Sequence, residues 1–311
     1  LYGKTREYAP PITMLAIIKW ARGGHFGTKD FNLSLARSAW SYRFVWRCYR
    51  KWIHGTKYAE KIKKLRERRY YSHPLYVEDI KKISDYTFPW EKLENKKILI
   101  TGASGMIGTV LVDVLMEHNR TYDSKIHVFA MGRSEQRARE RFKNYMEDLN
   151  FSFIQGDINN SLQLDTKMDY LFHCASNTHP RSYAEDPIGT IMTNVAGTEN
   201  VLKMAVYSKA ERVVFLSSVE IYGENRGDVE RFSEEYCGYI DCNTLRAGYP
   251  EGKRTGEALC QAYRQKYGLD VVIPRVCRVF GPTMLQSDSK ALAQFIKKAV
   301  NREDIVLKSE G

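Results

Sequence analysis

Tyr249 and Lys253 stand four residues apart in Tyr249-Pro-Glu-Gly-Lys253, a spacing that sets two side chains one above the other on a helix face. An ammonium beside a phenol favours the phenolate, so the pair predicts a tyrosine pKa lowered from about 10 toward neutrality. Such a phenol can take the proton of an alcohol while hydride leaves the same carbon. Upstream, Ser217-Ser218-Val219-Glu220 brings a second hydroxyl and a carboxyl to the end of an apolar run. Ser218 would hydrogen-bond the reacting alcohol and the ketone that forms from it. A Tyr-x-x-x-Lys spacing also arises by chance on many helices, so the surrounding elements must decide whether it reacts.

Those elements read as a dinucleotide fold. Lys97-Ile-Leu-Ile-Thr101 is a short apolar strand, followed by Gly102-Ala-Ser104-Gly105-Met106-Ile107-Gly108 and an apolar helical run through Val110, Leu111, Val114 and Leu115. Strand, glycine turn and helix in that order suit a pyrophosphate. The first glycine allows the turn, the second lets backbone N–H groups approach, and the third lets helix and strand pack closely. The helix N-terminus supplies its positive end. Further apolar runs at Ile126–Met131, Phe151–Gln155, Tyr170–Cys174, Arg212–Ser217 and Val271–Pro274 alternate with helical stretches such as Thr198–Tyr207 and Gly256–Lys266. This alternation predicts an α/β fold with a doubly wound parallel sheet, a Rossmann fold, whose ligands lie at the carboxyl ends of the strands.

From about Lys96 onward the chain resembles the extended short-chain dehydrogenase/reductases that modify nucleotide sugars, the NAD-dependent epimerases and dehydratases. Within them it is most similar to the UDP-glucuronate decarboxylases. The resemblance rests on His173-Cys-Ala-Ser-Asn-Thr-His-Pro180-Arg-Ser-Tyr183, Thr193-Asn194-Val-Ala-Gly197-Thr198, Arg246-Ala-Gly-Tyr249-Pro-Glu-Gly-Lys253-Arg254 and Arg275-Val-Cys-Arg278-Val-Phe-Gly281-Pro282. It implies a catalytic set of Ser218, Glu220, Tyr249 and Lys253. It also implies cofactor contacts from Gly102, Ser104, Gly105, Met106, Ile107, Gly108, Arg133, Asp157, Ile158, Ala175, Ser176, Asn194, Tyr249 and Lys253. Substrate contacts are implied for Asn177, Pro180, Tyr183 and Arg278.

Within that resemblance Glu220 discriminates between reactions. Relatives working at sugar C5 and C6 carry glutamate there, and a carboxyl near C5 could assist protonation after loss of carbon dioxide. Val219 replaces the aspartate that dehydratases use to expel water, and decarboxylases usually have serine at that place. Arg278 stands where the family commonly has asparagine; an arginine could clamp a diphosphate or imply another substrate pose. The second strand ends in Ala130-Met-Gly-Arg133, without the acidic residue that usually binds the NAD ribose. Arg133 could instead take the extra phosphate of NADP or stack on adenine. The expected cofactor is tightly held NAD, with NADP as the alternative. The expected partners are a nucleotide-sugar substrate, UDP-linked, and a second copy in a homodimer. A 4-epimerase and a 4,6-dehydratase are the competing enzymes, and a non-catalytic dinucleotide-binding scaffold is the competing class.

Composition divides the chain. Its 311 residues carry a formal net charge of +11. Residues 1–75, however, hold 17 Lys and Arg against 4 Asp and Glu, leaving 31 against 33 in the remainder. The basic excess therefore says nothing about the enzyme-like part. Residues 1–75, with Trp20, Trp40, Trp46 and Trp52, read as a basic aromatic helical segment, the tail of an upstream module. A membrane-surface helix and a nucleic-acid arm are the other readings, the last without a matching module. Residues 76–311 read as the dinucleotide domain, with a substrate subdomain that is C-terminally incomplete. The six cysteines form no Cys-x-x-Cys pair and no signal peptide is visible, so a cytoplasmic location and no metal site are expected.

Overall fold

The computed structural model describes residues 73–162, 164–178, 185–285 and 288–307. The expectations for 1–75 thus fall almost wholly outside the described residues, as do Pro180 and Tyr183. Helix α1 (Pro74–Ser84) starts with proline in its first turn and is capped by His73, whose side chain accepts from the Leu75 N–H at 3.3 Å. It buries Tyr76, Ile80 and Ile83 and packs on α2 (Met106–Tyr122). Strands β1 (Lys97–Thr101), β2 (His127–Gly132), β3 (Phe151–Gln155), β4 (Tyr170–His173), β5 (Arg212–Phe215) and β7 (Val271–Val272) form one parallel sheet ordered β3-β2-β1-β4-β5-β7. This is the doubly wound order, with its reversal point between β1 and β4.

Side chains alternate along each strand, so both faces of the sheet must be covered. Ile98, Ile100, Val128, Ala130, Phe172 and Val214 pack toward α2 and α3 (Glu135–Arg141). Leu99, Met131, Leu171, Val213 and Phe215 pack toward α4 (Pro187–Ser208) and α5 (Gly248–Tyr267). Helix α4 is capped by Asp186, whose Oδ1 accepts from Gly189 N–H at 2.9 Å. Helix α5 ends on Gly268 in the left-handed conformation, φ +66°. The last helix among the described residues is α6 (Ala291–Asn301).

The expected strand Arg212–Ser217 is divided. After Phe215 the chain leaves the main sheet, and β6 (Ser217–Ser218) pairs with β8 (Arg275–Val276) in a separate parallel pair. The expected strand Val271–Pro274 is shortened to Val271–Val272; Pro274 has no N–H to continue a ladder, while its carbonyl accepts from Ser217 N–H at 2.9 Å. The break turns the Leu216 carbonyl out of the ladder and toward α5, where it receives Lys253.

Candidate active site

The glycine turn is shaped by close approach. Gly102 has φ +64°, and a Cβ there would lie 2.8 Å from the Ala175 Cα at the end of β4. A Cβ on Gly108 would meet the Gly102 carbonyl at 2.5 Å. Gly105 caps α2 without any side-chain hydrogen bond, so the first-turn N–H groups have no capping side chain. A cradle that side chains would fill, at a helix N-terminus facing the sheet's reversal point, fits a dinucleotide pyrophosphate. Ser104, Met106 and Ile107 belong to this turn, and the Met106 carbonyl accepts from the buried Thr283 hydroxyl at 2.8 Å.

Around the rest of the crevice the expected residues divide. Arg133 is exposed at the end of β2, its carbonyl held by Gln155 Nε2 at 3.2 Å. Asp157 opens a tight turn after β3, one carboxylate oxygen accepting from Asn159 N–H at 2.9 Å. The Ile158 side chain is buried against Gly197 of α4, which leaves only its backbone for a ligand. Asn194 is also buried. Its Oδ1 accepts from the Ser176 hydroxyl at 2.8 Å and its Nδ2 donates to the Thr190 carbonyl at 2.9 Å. Asn194 therefore sets Ser176 in place from beneath. Asn177 is half-buried after β4. Arg278 is exposed with φ +41°, a strained backbone for a non-glycine residue.

The residues expected to be catalytic come together. Residues 245–247 form a one-turn 3-10 helix that runs into α5 and brings Tyr249 to the end of β6. The hydroxyls of Ser218 and Ser176 both hydrogen-bond the Tyr249 phenol, and Glu220 lies close enough for its charge to act on it. Ser218 Oγ also accepts from Glu220 N–H at 3.2 Å. Lys253, one turn along, is buried, and its Nζ donates to the Leu216 carbonyl at 2.7 Å. The ammonium lies 4.8 Å from the Phe215 ring centroid and 6.0 Å from that of Tyr249.

The electrostatic expectation for this pair is corrected. Burial pushes the Tyr249 phenol up to about 12, Glu220 adds to the rise, and the two serine hydroxyls oppose it. Lys253 does not lower it, because the ammonium is directed at a carbonyl and is itself depressed to about 8 by burial. Without a further positive charge in the crevice, Tyr249 remains a phenol at neutral pH.

Beneath this site runs a hydrogen-bonded chain that the sequence did not suggest. The Ala175 N–H donates to Thr101 Oγ1 at 3.3 Å, and Thr101 meets His173 Nδ1 at 2.8 Å. His173 Nε2 meets Thr198 Oγ1 at 3.2 Å, and that hydroxyl donates to the Asn194 carbonyl at 2.6 Å. This direction assigns the proton to Nε2. Burial, with Lys253 nearby, pushes His173 down to about 3 and keeps it neutral. A lone histidine at a strand end carries no signal of such a role. A second group ties β6 and β8 to α5: Glu257 on α5 accepts from the Ser217 hydroxyl and forms a fork with Arg275 at 2.8 Å, while Arg275 also reaches Tyr222 at 3.2 Å.

A profile of the NAD dependent epimerase/dehydratase family matches residues 98–311. The chain belongs to that family. NAD is the family's dinucleotide, and the glycine cradle and the α2 N-terminus suit its pyrophosphate. UDP-glucuronic acid decarboxylase 1 of Xenopus tropicalis is 33% identical over 218 residues, covering 70% of this chain and 49% of that protein. UDP-glucuronic acid decarboxylase 3 of Arabidopsis thaliana is 31% identical over 70% of this chain and 60% of its own. The chain thus spans about half to three fifths of the length of these relatives. Among solved structures, the UDP-glucuronic acid 4-epimerase from Bacillus cereus, in complex with UDP-glucuronic acid and NAD, superposes with TM-score 0.56. It is 25% identical and is matched over 69% of this chain and 66% of its own. A dTDP-glucose 4,6-dehydratase from Streptomyces venezuelae superposes with TM-score 0.54 at 26% identity, over 66% of this chain and 62% of that one.

Proposed function

We propose that the enzyme decarboxylates UDP-glucuronate to UDP-xylose through a transient 4-keto sugar. The observation that carries this reading is the position of Glu220 beside the Tyr249–Ser218 pair, with Val219 rather than an acid next to it. NAD, which the glycine cradle, Ser176, Tyr249 and Lys253 would hold, would supply the acceptor for the C4 hydride and its return within the same cycle. With the positively charged nicotinamide ring in the crevice, the Tyr249 phenol would lose its proton to solvent, and the phenolate would then receive the C4 hydroxyl proton while Ser218 holds the same oxygen through its change from alcohol to ketone. Lys253, fixed by the Leu216 carbonyl, keeps a positive charge beneath the phenol. A 4-keto sugar acid is a β-keto acid and loses carbon dioxide readily; Glu220 would assist protonation of the resulting enolate at C5. The curated relatives named above support this choice over epimerisation, and Val219 counts against dehydration.

Incubating the full-length protein with UDP-glucuronate is expected to yield carbon dioxide and UDP-xylose. UDP-galacturonate without gas release would exclude decarboxylation. Replacing Tyr249 with Phe is expected to lower turnover by about 10²–10⁴-fold while near-UV circular dichroism stays unchanged. Retained turnover would remove Tyr249 from the reaction.

A further inference from the structure

Arg246 borders the same site, yet no part of the mechanism above uses it. Ala247 and Gly248 both have right-handed helical backbone, so the short 3-10 turn continues into α5 without a break. Arg246 is therefore one turn before Tyr249, on a neighbouring position of the same helical surface. Its guanidinium is about two thirds exposed, and its Nη2 faces both oxygens of Glu220 at 3.4 and 3.5 Å. Charge-assisted hydrogen bonds close to about 2.7–2.9 Å, and the Arg275–Glu257 fork in this molecule reaches 2.8 Å. The Arg246–Glu220 pair is loose by that standard, and exposed pairs of this kind contribute little to stability. Among the described residues, Arg246 makes no other hydrogen bond.

We propose that Arg246 is the residue that selects a sugar acid, and that Glu220 occupies in the resting protein the position taken by the substrate carboxylate. This deepens the decarboxylase reading and rests on it. With a hexuronate C4 hydroxyl at Tyr249 and Ser218, the carboxylate is attached to the adjoining C5. It thus lies on the side of the phenol that Glu220 and Arg246 border. A planar guanidinium with five donors can grip that carboxylate bidentately. The exchange releases Glu220 from Arg246 and leaves it beside C5. A neutral hexose offers no anion for the exchange and leaves the resting pair intact.

Calorimetric titration of the full-length protein, loaded with reduced dinucleotide to block turnover, tests this with UDP-glucuronate and UDP-glucose. The wild type is expected to bind the acid about tenfold or more tighter. Arg246→Gln should lose most of that preference by weakening the acid alone. Glu220→Gln should tighten acid binding, and this gain should vanish when both substitutions are combined, because the two residues act as a coupled pair. A preference absent from the wild type, kept by Arg246→Gln, or lost through equal weakening of both sugars would overturn the assignment. A Glu220→Gln gain that persists in the double variant would overturn the exchange. Failure of the wild type to bind either sugar would overturn the nucleotide-sugar decarboxylase reading itself, and this inference with it.

Discussion

Two buried charges on opposite faces of the sheet are treated in opposite ways. Asp113 of α2 is enclosed by partners: Arg141 of α3 and Tyr76 of α1 both hydrogen-bond it, and Tyr145 donates at 3.1 Å. Burial and the adjoining Asp113 push the Tyr76 phenol above its ordinary value, so it stays a neutral donor. Lys253 is equally enclosed, but it has a carbonyl and an aromatic ring where a carboxylate would be expected. A paired buried charge fixes how helices dock. A buried charge with no carboxylate in contact is costly to keep, and burial lowers the pKa of its ammonium. The Asp113 cluster joins α1 to α2 and α3, whereas Lys253 waits beneath Tyr249 in the crevice.

The largest test of that contrast is Asp113→Ala. It leaves Arg141 buried without its carboxylate and should lower unfolding free energy by about 3–5 kcal/mol, measured by urea titration. A loss below about 1 kcal/mol would show the cluster to be incidental. Lys253→Met should behave in the reverse sense. The folded pKa of Lys253 is about 8 against an ordinary 10.5, so from pH 8 to 10.5 the unfolded chain holds the proton that the folded chain has released. Stability of the wild type from this group therefore rises with pH across that window, by on the order of 3 kcal/mol. The variant should lack the rise and be the more stable protein at pH 7. Parallel pH profiles for the two would contradict the burial of a charged Lys253.

A smaller effect is expected at the cradle. Gly102→Ala forces a side chain into left-handed backbone at a cost of about 1–2 kcal/mol and places its Cβ against Ala175, so dinucleotide affinity should fall far more than thermal stability. Equal affinity by fluorescence titration would remove the turn from the binding site. The smallest effect belongs to the loose pair at the mouth. Arg246→Gln should change unfolding free energy by less than about 1 kcal/mol, whatever it does to ligand selection. A larger loss would make Arg246 a structural residue like Arg141.

The order of strands and helices was legible because two periodicities and a glycine turn are local signals: Lys97–Thr101, Gly102–Gly108 and the runs through β2, β3 and β4 sit within a residue of where the pattern placed them. The meeting of Ser218 with Tyr249 was legible too, once a doubly wound fold was inferred. What could not be read was the division of β5 at Leu216. Pairing breaks depend on where a distant Pro274 falls, and the carbonyl so exposed is what receives Lys253. Nor could the sequence reveal that Asn194 and Ile158 turn inward, or that Thr101, His173 and Thr198 join under the crevice.

For the opening pair, the sequence determined which groups face each other: a four-residue spacing on a helix fixes neighbours whatever surrounds them. Tertiary structure decided their chemistry. Burial raises the phenol of Tyr249, lowers the ammonium of Lys253, and sets Glu220 and Arg246 at the mouth. Helical spacing is a property of the local backbone, whereas a pKa depends on solvent and charge brought in by residues far away along the chain.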